Sequence, residues 1–279
     1  MVKPQFRMLD PQPTRRSILR AAALFLTAAV LSHTVQSQPP SKKGLPLPGE
    51  TWSLEGREAF VISPAKPQPG ATPWVWYAPT LPGLPGAAEK WMFEKFTAAG
   101  IAVAGIDVGE SYGSPRGRAL FSALYRELTV TRGFAPKPVL LGRSRGGLMA
   151  LNWAADNPDK VGGFAGVYPV CNLASYPGLA KACGAYEMGE AELKEKLTEH
   201  NPIERLAPLA RAGVPLFAIH GDSDRVVPLE ANSGEVHRRY HNLGGKMQLI
   251  VPKSQGHNMW EGFFQNQELV DFVMANARP

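Results

Sequence analysis

The chain has 279 residues, 44% of them hydrophobic, with two cysteines and a net charge of +6. Its first 37 residues hold five Lys or Arg and one Asp, so the remainder carries +2 and shows no basic cluster of the kind a nucleic-acid partner requires. About 240 residues beyond that point suffice for one substantial core, and no internal repeat divides them.

In chain order, the first segment reads as an export signal. Thr14-Arg15-Arg16-Ser17-Ile18-Leu19-Arg20 precedes an uncharged run from Ala21 to Leu31, and Val35-Gln36-Ser37 forms a cleavage site of small residues before Gln38. The run falls short of the ~18 residues a spanning helix needs, so no permanent membrane anchor is expected. The paired arginines resemble the twin-arginine signals of bacteria, which implies a periplasmic or extracellular protein. Residues 38–56 are rich in proline and lysine without periodicity and read as an exposed linker, with the folded domain spanning 57–279.

Apolar runs suited to strands then alternate with helical patterns. Strands are expected at Trp74 to Ala78, Ile101 to Ile106, Val139 to Leu141, Val161 to Val167, Pro215 to Ile219 and Met247 to Val251. Met92, Phe96 and Ala99 form one helical stripe, and Leu269, Phe272 and Val273 another. Such alternation predicts an α/β fold: a mostly parallel central sheet with helices on both faces. Between Cys171 and Arg205 it lapses into turns and one charged helical segment, Glu190 to His200. This small excursion reads either as an entrance over the top of the sheet or as a plain surface insertion. Cys171 and Cys183 either close a short loop in an oxidising compartment or stand as two buried thiols.

Gly-x-Ser-x-Gly occurs twice. In Gly109-Glu110-Ser111-Tyr112-Gly113 the serine is followed by a turn, a cap residue Ser114 and Pro115, so Ser111 falls in a loop before its helix. In Gly142-Arg143-Ser144-Arg145-Gly146 the strand-like Val139-Leu140-Leu141 passes straight into the helix-like Leu148-Met149-Ala150-Leu151, and Gly146-Gly147 lets the two pack tightly. A residue at such a bend is strained and projecting, which makes Ser144 the nucleophile candidate.

A serine hydroxyl needs a base, and an imidazole with an ordinary pKa near 6.5 suits neutral pH. His220 ends a buried strand. His237 and His241 share a helix face with Arg238 where a metalloprotease would carry glutamate, so no metal site is expected. His257 lies in the loop after the last strand, where open sheets place their chemistry. An orienting acid belongs after the preceding strand, where His220-Gly221-Asp222-Ser223-Asp224 offers two aspartates that local pattern does not separate.

The order of these groups resembles the α/β-hydrolase superfamily over nearly all of Arg57 to Pro279. Gly142 to Gly147, Asp224-Arg225-Val226-Val227-Pro228 and Gly256-His257 are similar to the catalytic domain of prolyl-oligopeptidase-type hydrolases and related esterases. The resemblance implies a triad of Ser144, Asp224 and His257, with Asp222 as a turn residue, and needs no cofactor. It places the oxyanion hole at the backbone N–H of Arg145 and at one from Ala78-Pro79-Thr80-Leu81-Pro82, where the prolines leave Thr80 or Leu81 as donor.

Two departures from the peptidases stand out: no region before the sheet could form a propeller, and arginine follows the nucleophile where an aromatic residue is common. The expected activity is therefore carboxylic-ester hydrolysis on a small-molecule substrate through an acyl-serine intermediate. The alternatives are a prolyl-oligopeptidase-type serine peptidase and an inert hydrolase fold that binds an envelope ligand. Arg143 and Arg145 either extend a guanidinium to a substrate carboxylate or form structural ion pairs. Trp260 either lines the pocket or packs in the core.

Overall fold

A computed structural model describes residues 43–278 apart from 65, 67 and 68. The export leader and the beginning of the linker lie outside the described residues. The described residues from Lys43 onward fall into one compact unit, so the folded part begins earlier than residue 57.

The reason is an N-terminal hairpin that the linker reading missed. Strands β1 (Glu50–Leu54) and β2 (Arg57–Ile62) pair antiparallel with Leu54 opposite Arg57. Both loop residues take positive φ, 51° at Glu55 and 70° at Gly56. Two left-handed residues in succession give a turn whose twist matches the strands. Glutamate is an uncommon first residue there, which hid the turn. Ahead of the hairpin, Leu45 and Leu47 pack on the core and Lys43 Nζ donates to the Leu81 carbonyl at 2.7 Å.

Six further strands complete one eight-stranded sheet in the order β1-β2-β4-β3-β5-β6-β7-β8, parallel from β4 onward. They are β3 (Trp74–Ala78), β4 (Ala102–Ile106), β5 (Val139–Arg143), β6 (Gly163–Val167), β7 (Leu216–Ile219) and β8 (Met247–Ile250). The expected strands are all present, within a few residues at their ends.

Strand residues alternate between two apolar layers, because successive side chains point to opposite faces. Trp74 and Trp76 join Phe121 of α2 (Pro115–Arg126) and Trp153 of α3 (Gly146–Asp156) on one face. Val75 and Tyr77 join Phe93 and Phe96 of α1 (Lys90–Ala98) on the other.

The excursion carries short helices, α4 (Leu179–Ala182), α5 (Glu190–Glu195) and α6 (Leu197–His200), followed by α7 (Ala207–Arg211). Its apolar residues, including Leu173, Tyr186 and Leu193, bury against Tyr112, Leu148 and Val227. Cys171 is buried and Cys183 half-buried, and both are free thiols. After β7 the chain forms α8 (Ser233–Asn242), and after β8 it closes with α9 (Glu261–Phe264) and α10 (Gln267–Asn276). The latter two cover the α1 face through Phe263, Phe264, Val270 and Val273.

Candidate active site

Ser144 is the bend between β5 and α3, with φ of +49°. A left-handed non-glycine residue costs about 1–3 kcal/mol and persists only where its surroundings demand it. Here they do: Ser144 N–H donates to the Val167 carbonyl at 3.0 Å, and its own carbonyl accepts from Gly147 and Val170 N–H at 3.0 and 2.8 Å. A Cβ on Gly146 would lie 2.0 Å from the Ala78 carbonyl oxygen, so the elbow can seat against β3 only with glycine there.

The loops after β7 and β8 reach Ser144 together because they are bonded to each other. Ser223 N–H donates to the Gln255 carbonyl at 2.9 Å, and Ser254 N–H donates to Asp222 Oδ1 at 2.7 Å. A Cβ on Gly221 would meet the Gln255 carbonyl oxygen at 2.1 Å, so this approach also requires glycine. Asp222 takes the turn position, as the resemblance implied.

On this frame the Ser144 hydroxyl donates to His257 Nε2 at 2.9 Å, and His257 Nδ1–H donates to Asp224 Oδ2 at 2.7 Å. The Asp224 carboxylate is buried, and its Oδ1 accepts from Val226 and Val227 N–H at 3.0 and 2.8 Å. Burial alone would raise its pKa. Hydrogen bonds from His220, His257 and the Val227 N–H outweigh that and hold the carboxyl well below the usual carboxylate range. An imidazole so placed can accept a proton from the serine while its cation is stabilised from behind.

A cavity of about 280 Å³ opens at Ser144, lined by Pro79, Leu84, Arg143, Arg145, Tyr168, His257, Asn258 and Met259. Tyr168 was not singled out from the sequence. Its ring lies 4.3 Å from that of His257, and nothing in its local pattern marks it.

Arg143 is both a cavity wall and a structural ion pair. Its Nη1 donates to Glu89 Oε1 at 2.7 Å, and Glu89 is 1% exposed. The same carboxylate accepts from the Tyr77 hydroxyl and from Gly86 N–H, each at 2.8 Å. Burial works against the Arg143 charge, but Tyr77, Glu89 and Tyr168 outweigh it and raise the guanidinium pKa. Arg145 pairs through Nε with Glu110 Oε2 at 2.8 Å on the surface.

The Arg145 N–H sits at the start of α3 beside the serine, as the oxyanion reading requires. The structure does not bring Thr80 or Leu81 to the cavity wall. Thr80 is buried with its hydroxyl donating to the Tyr77 carbonyl, and the Leu81 carbonyl accepts from Lys43 Nζ. Pro79 and Leu84 border the cavity instead. Trp260 is half exposed, stacks edge-on against Phe263 and does not line this cavity. No residue of the excursion lines it either. The excursion packs beside this cavity through its own apolar cluster, which favours the surface-insertion reading of it.

A mostly parallel sheet with serine at a strand-to-helix elbow, and with acid and imidazole on the loops after β7 and β8, is the arrangement of the α/β-hydrolase fold. The sequence profile of the prolyl oligopeptidase family matches residues 135–275, about half of the chain, and the chain belongs to that family.

Solved structures agree on the fold. A puromycin-hydrolyzing peptidase of Mycobacterium tuberculosis superposes with a TM-score of 0.65 at 17% identity, covering 82% of this chain and 40% of that one. The Mycobacterium tuberculosis protein MPT51 gives 0.66 at 16%, covering 83% of this chain and all of that one. The acylaminoacyl peptidase of Pyrococcus horikoshii gives 0.65 at 14%, covering 82% and 42%. The chain thus spans about 40% of the length of the two peptidases. No curated protein matches it in sequence.

Proposed function

We propose that this protein is a carboxylic-ester hydrolase acting through an acyl-Ser144 intermediate. The observation that carries the reading is the unbroken chain from Ser144 Oγ to His257 to Asp224, with contacts of 2.9 and 2.7 Å. His257 Nε2 takes the hydroxyl proton as Oγ attacks the ester carbonyl, and the Arg145 N–H stabilises the oxyanion. His257 returns the proton to the departing alkoxide, then activates water to release the acid.

Ester preference rests on the cavity's charge. Two arginines, each paired with a glutamate, are among its lining residues and no acidic residue is, so the α-ammonium of a short peptide would find no partner, whereas a neutral or acidic ester meets no repulsion. Family membership favours a second reading, a serine peptidase. A fluorophosphonate probe tests the common core: it should label Ser144 and fail on the folded Ser144→Ala variant. Absence of labelling on folded protein would leave the envelope-binding alternative. Comparing short acyl esters with matching peptide amides then separates the two hydrolases, and faster amide turnover would overturn the ester reading.

Export is part of the same proposal. The twin-arginine leader in residues 1–37 supports a periplasmic or extracellular site of action. The mature protein should begin at Gln38 in the envelope or medium; a cell-interior protein retaining Met1 would refute this.

A further inference from the structure

Asp224 is approached by two imidazoles. His220, the residue after β7, is fully buried, and its Nε2 lies 2.8 Å from the Val227 carbonyl oxygen and 3.3 Å from Asp224 Oδ2. Both neighbours accept hydrogen bonds, so Nε2 carries the proton. Nδ1 lies 2.8 Å from Ser233 Oγ in α8 and accepts from that hydroxyl. The ring is therefore pinned at both nitrogens, and the edge of its N–H faces the same carboxylate oxygen that receives His257 Nδ1–H.

We propose that His220 is a positioning residue of the hydrolytic site: its N–H, shared between the Val227 carbonyl and Asp224 Oδ2, fixes the carboxylate toward His257 and limits how strongly that carboxylate stabilises the His257 cation. This inference rests on the hydrolase reading above.

The geometry gives two effects with separate signatures. Asp224 Oδ1 is held by two main-chain N–H groups, so a donor at Oδ2 removes the remaining freedom of the carboxylate to swing from the imidazole. A hydrogen bond to a carboxylate also favours its ionised form and lowers its basicity, in keeping with the depressed Asp224 pKa. Without it, Oδ2 would pull harder on the His257 proton and the imidazolium would persist to higher pH. The other ionisable groups facing this assembly are Tyr168 against the His257 ring, and Arg143 and Arg145 across the cavity. None of them touches His220.

The test follows the fluorophosphonate labelling rate of Ser144 against pH in the unsubstituted protein, His220→Leu and His220→Gln. Glutamine can place its amide N–H where the imidazole Nε2–H stands; leucine retains bulk without a donor. In His220→Leu the plateau should fall about tenfold and the acid limb should move upward by about half a pH unit or more, while His220→Gln keeps the limb in place. Equal loss in both variants with unmoved limbs would reduce His220 to a packing role and overturn the proposal.

If His220→Leu does not fold, ¹⁵N spectra of the unsubstituted protein and of Asp224→Asn decide. A His220 Nε2–H signal that moves in Asp224→Asn supports the bond to Asp224; a signal that stays in place, or a proton on Nδ1, refutes it. If the unsubstituted protein takes no label, the hydrolase reading fails, and the ¹⁵N spectra still decide the His220–Asp224 bond by themselves.

Discussion

Residues 109–113 and 142–146 spell the same Gly-x-Ser-x-Gly pattern and stand side by side, yet only one is an elbow. At Ser144 the serine itself takes the left-handed conformation and β5 runs directly into α3. At Ser111 the left-handed residue is the following Tyr112, with φ of +47°, and the helix waits for Ser114, whose hydroxyl caps the Gly117 N–H. Ser111 Oγ is spent inside its own turn, accepting from Gly113 N–H at 3.5 Å, and the adjoining cavity holds Arg57, Glu110, Arg116 and Glu187 without an imidazole. A motif thus describes composition, while the residue that bears the backbone strain decides which serine projects. The second segment supports the first: Gly113 packs on the Leu148 carbonyl of α3, and Glu110 pairs with Arg145.

The largest break in the comparison should come from the serines themselves. Ser144→Ala is expected to lower kcat roughly 10⁴–10⁶-fold, whereas Ser111→Ala should stay within about twofold, since its hydroxyl touches no reacting group. Steady-state hydrolysis of a short acyl ester measures both. The reverse ranking would mean that the strained residue is not the nucleophile.

The residue before each serine gives the next effect. Arg143 neutralises buried Glu89, so Arg143→Met leaves an unpaired charge and should cost about 3–5 kcal/mol in denaturant unfolding. Glu110→Gln breaks an exposed pair and should cost less than about 1 kcal/mol. Gly146→Ala, which forces a Cβ onto main-chain atoms of β3, should lower stability by about 1–3 kcal/mol and slow fluorophosphonate labelling as the elbow shifts. Normal labelling in that variant would show that the elbow tolerates displacement.

Acid should separate the two segments more gently. The excursion is fastened to the Ser111 turn by the Tyr186 hydroxyl, which donates to the Tyr112 carbonyl at 2.8 Å, and beside Tyr186 lies His200. His200 is buried with neither ring nitrogen hydrogen-bonded among the described residues. Burial, reinforced by Arg118 and Arg205 against the opposing Glu199, lowers its pKa. A folded value below the unfolded one means the unfolded chain binds the proton more readily, so this stability is present above about pH 6.5 and declines as pH falls through that value. Hydrogen exchange at pH 7.5 and 5.5 should show the excursion and residues 109–113 loosening while the elbow stays protected. His200→Phe should abolish the difference; equal exchange at both pH values in the unsubstituted protein would refute it.

The smallest effect concerns Arg145 and Glu110. A double-mutant cycle on thermal stability should give a coupling of about 0.2–1 kcal/mol that shrinks with added salt.

Much of the fold was legible in the chain. Strand positions, the helical stripe of α10, the cap at Ser114 and the seating of Gly146 all follow from local periodicity and backbone chemistry; of the stripe expected on α1, Met92 and Phe96 are buried with Phe93, while Ala99 lies exposed just past the helix end. The β1–β2 hairpin was not, because its turn uses Glu55 at a left-handed position where asparagine or glycine would have signalled it. The second oxyanion donor was also out of reach. Elimination of the prolines left Thr80 and Leu81, but Pro79 and Leu84 border the cavity, a placement set by the path of the loop and not by its composition.

By itself the sequence determined a parallel sheet, a strained serine between strand and helix, and two loops carrying an acid and a histidine, because each depends on residues within a few positions of one another. Which partners meet across long separations belonged to the tertiary structure. The Glu89 carboxylate under Arg143 and the His257 ring against Asp224 Oδ2 arise from how strands stack and loops interlock. Buried charges and donors find partners wherever the packed core places them, and no local pattern encodes that distance.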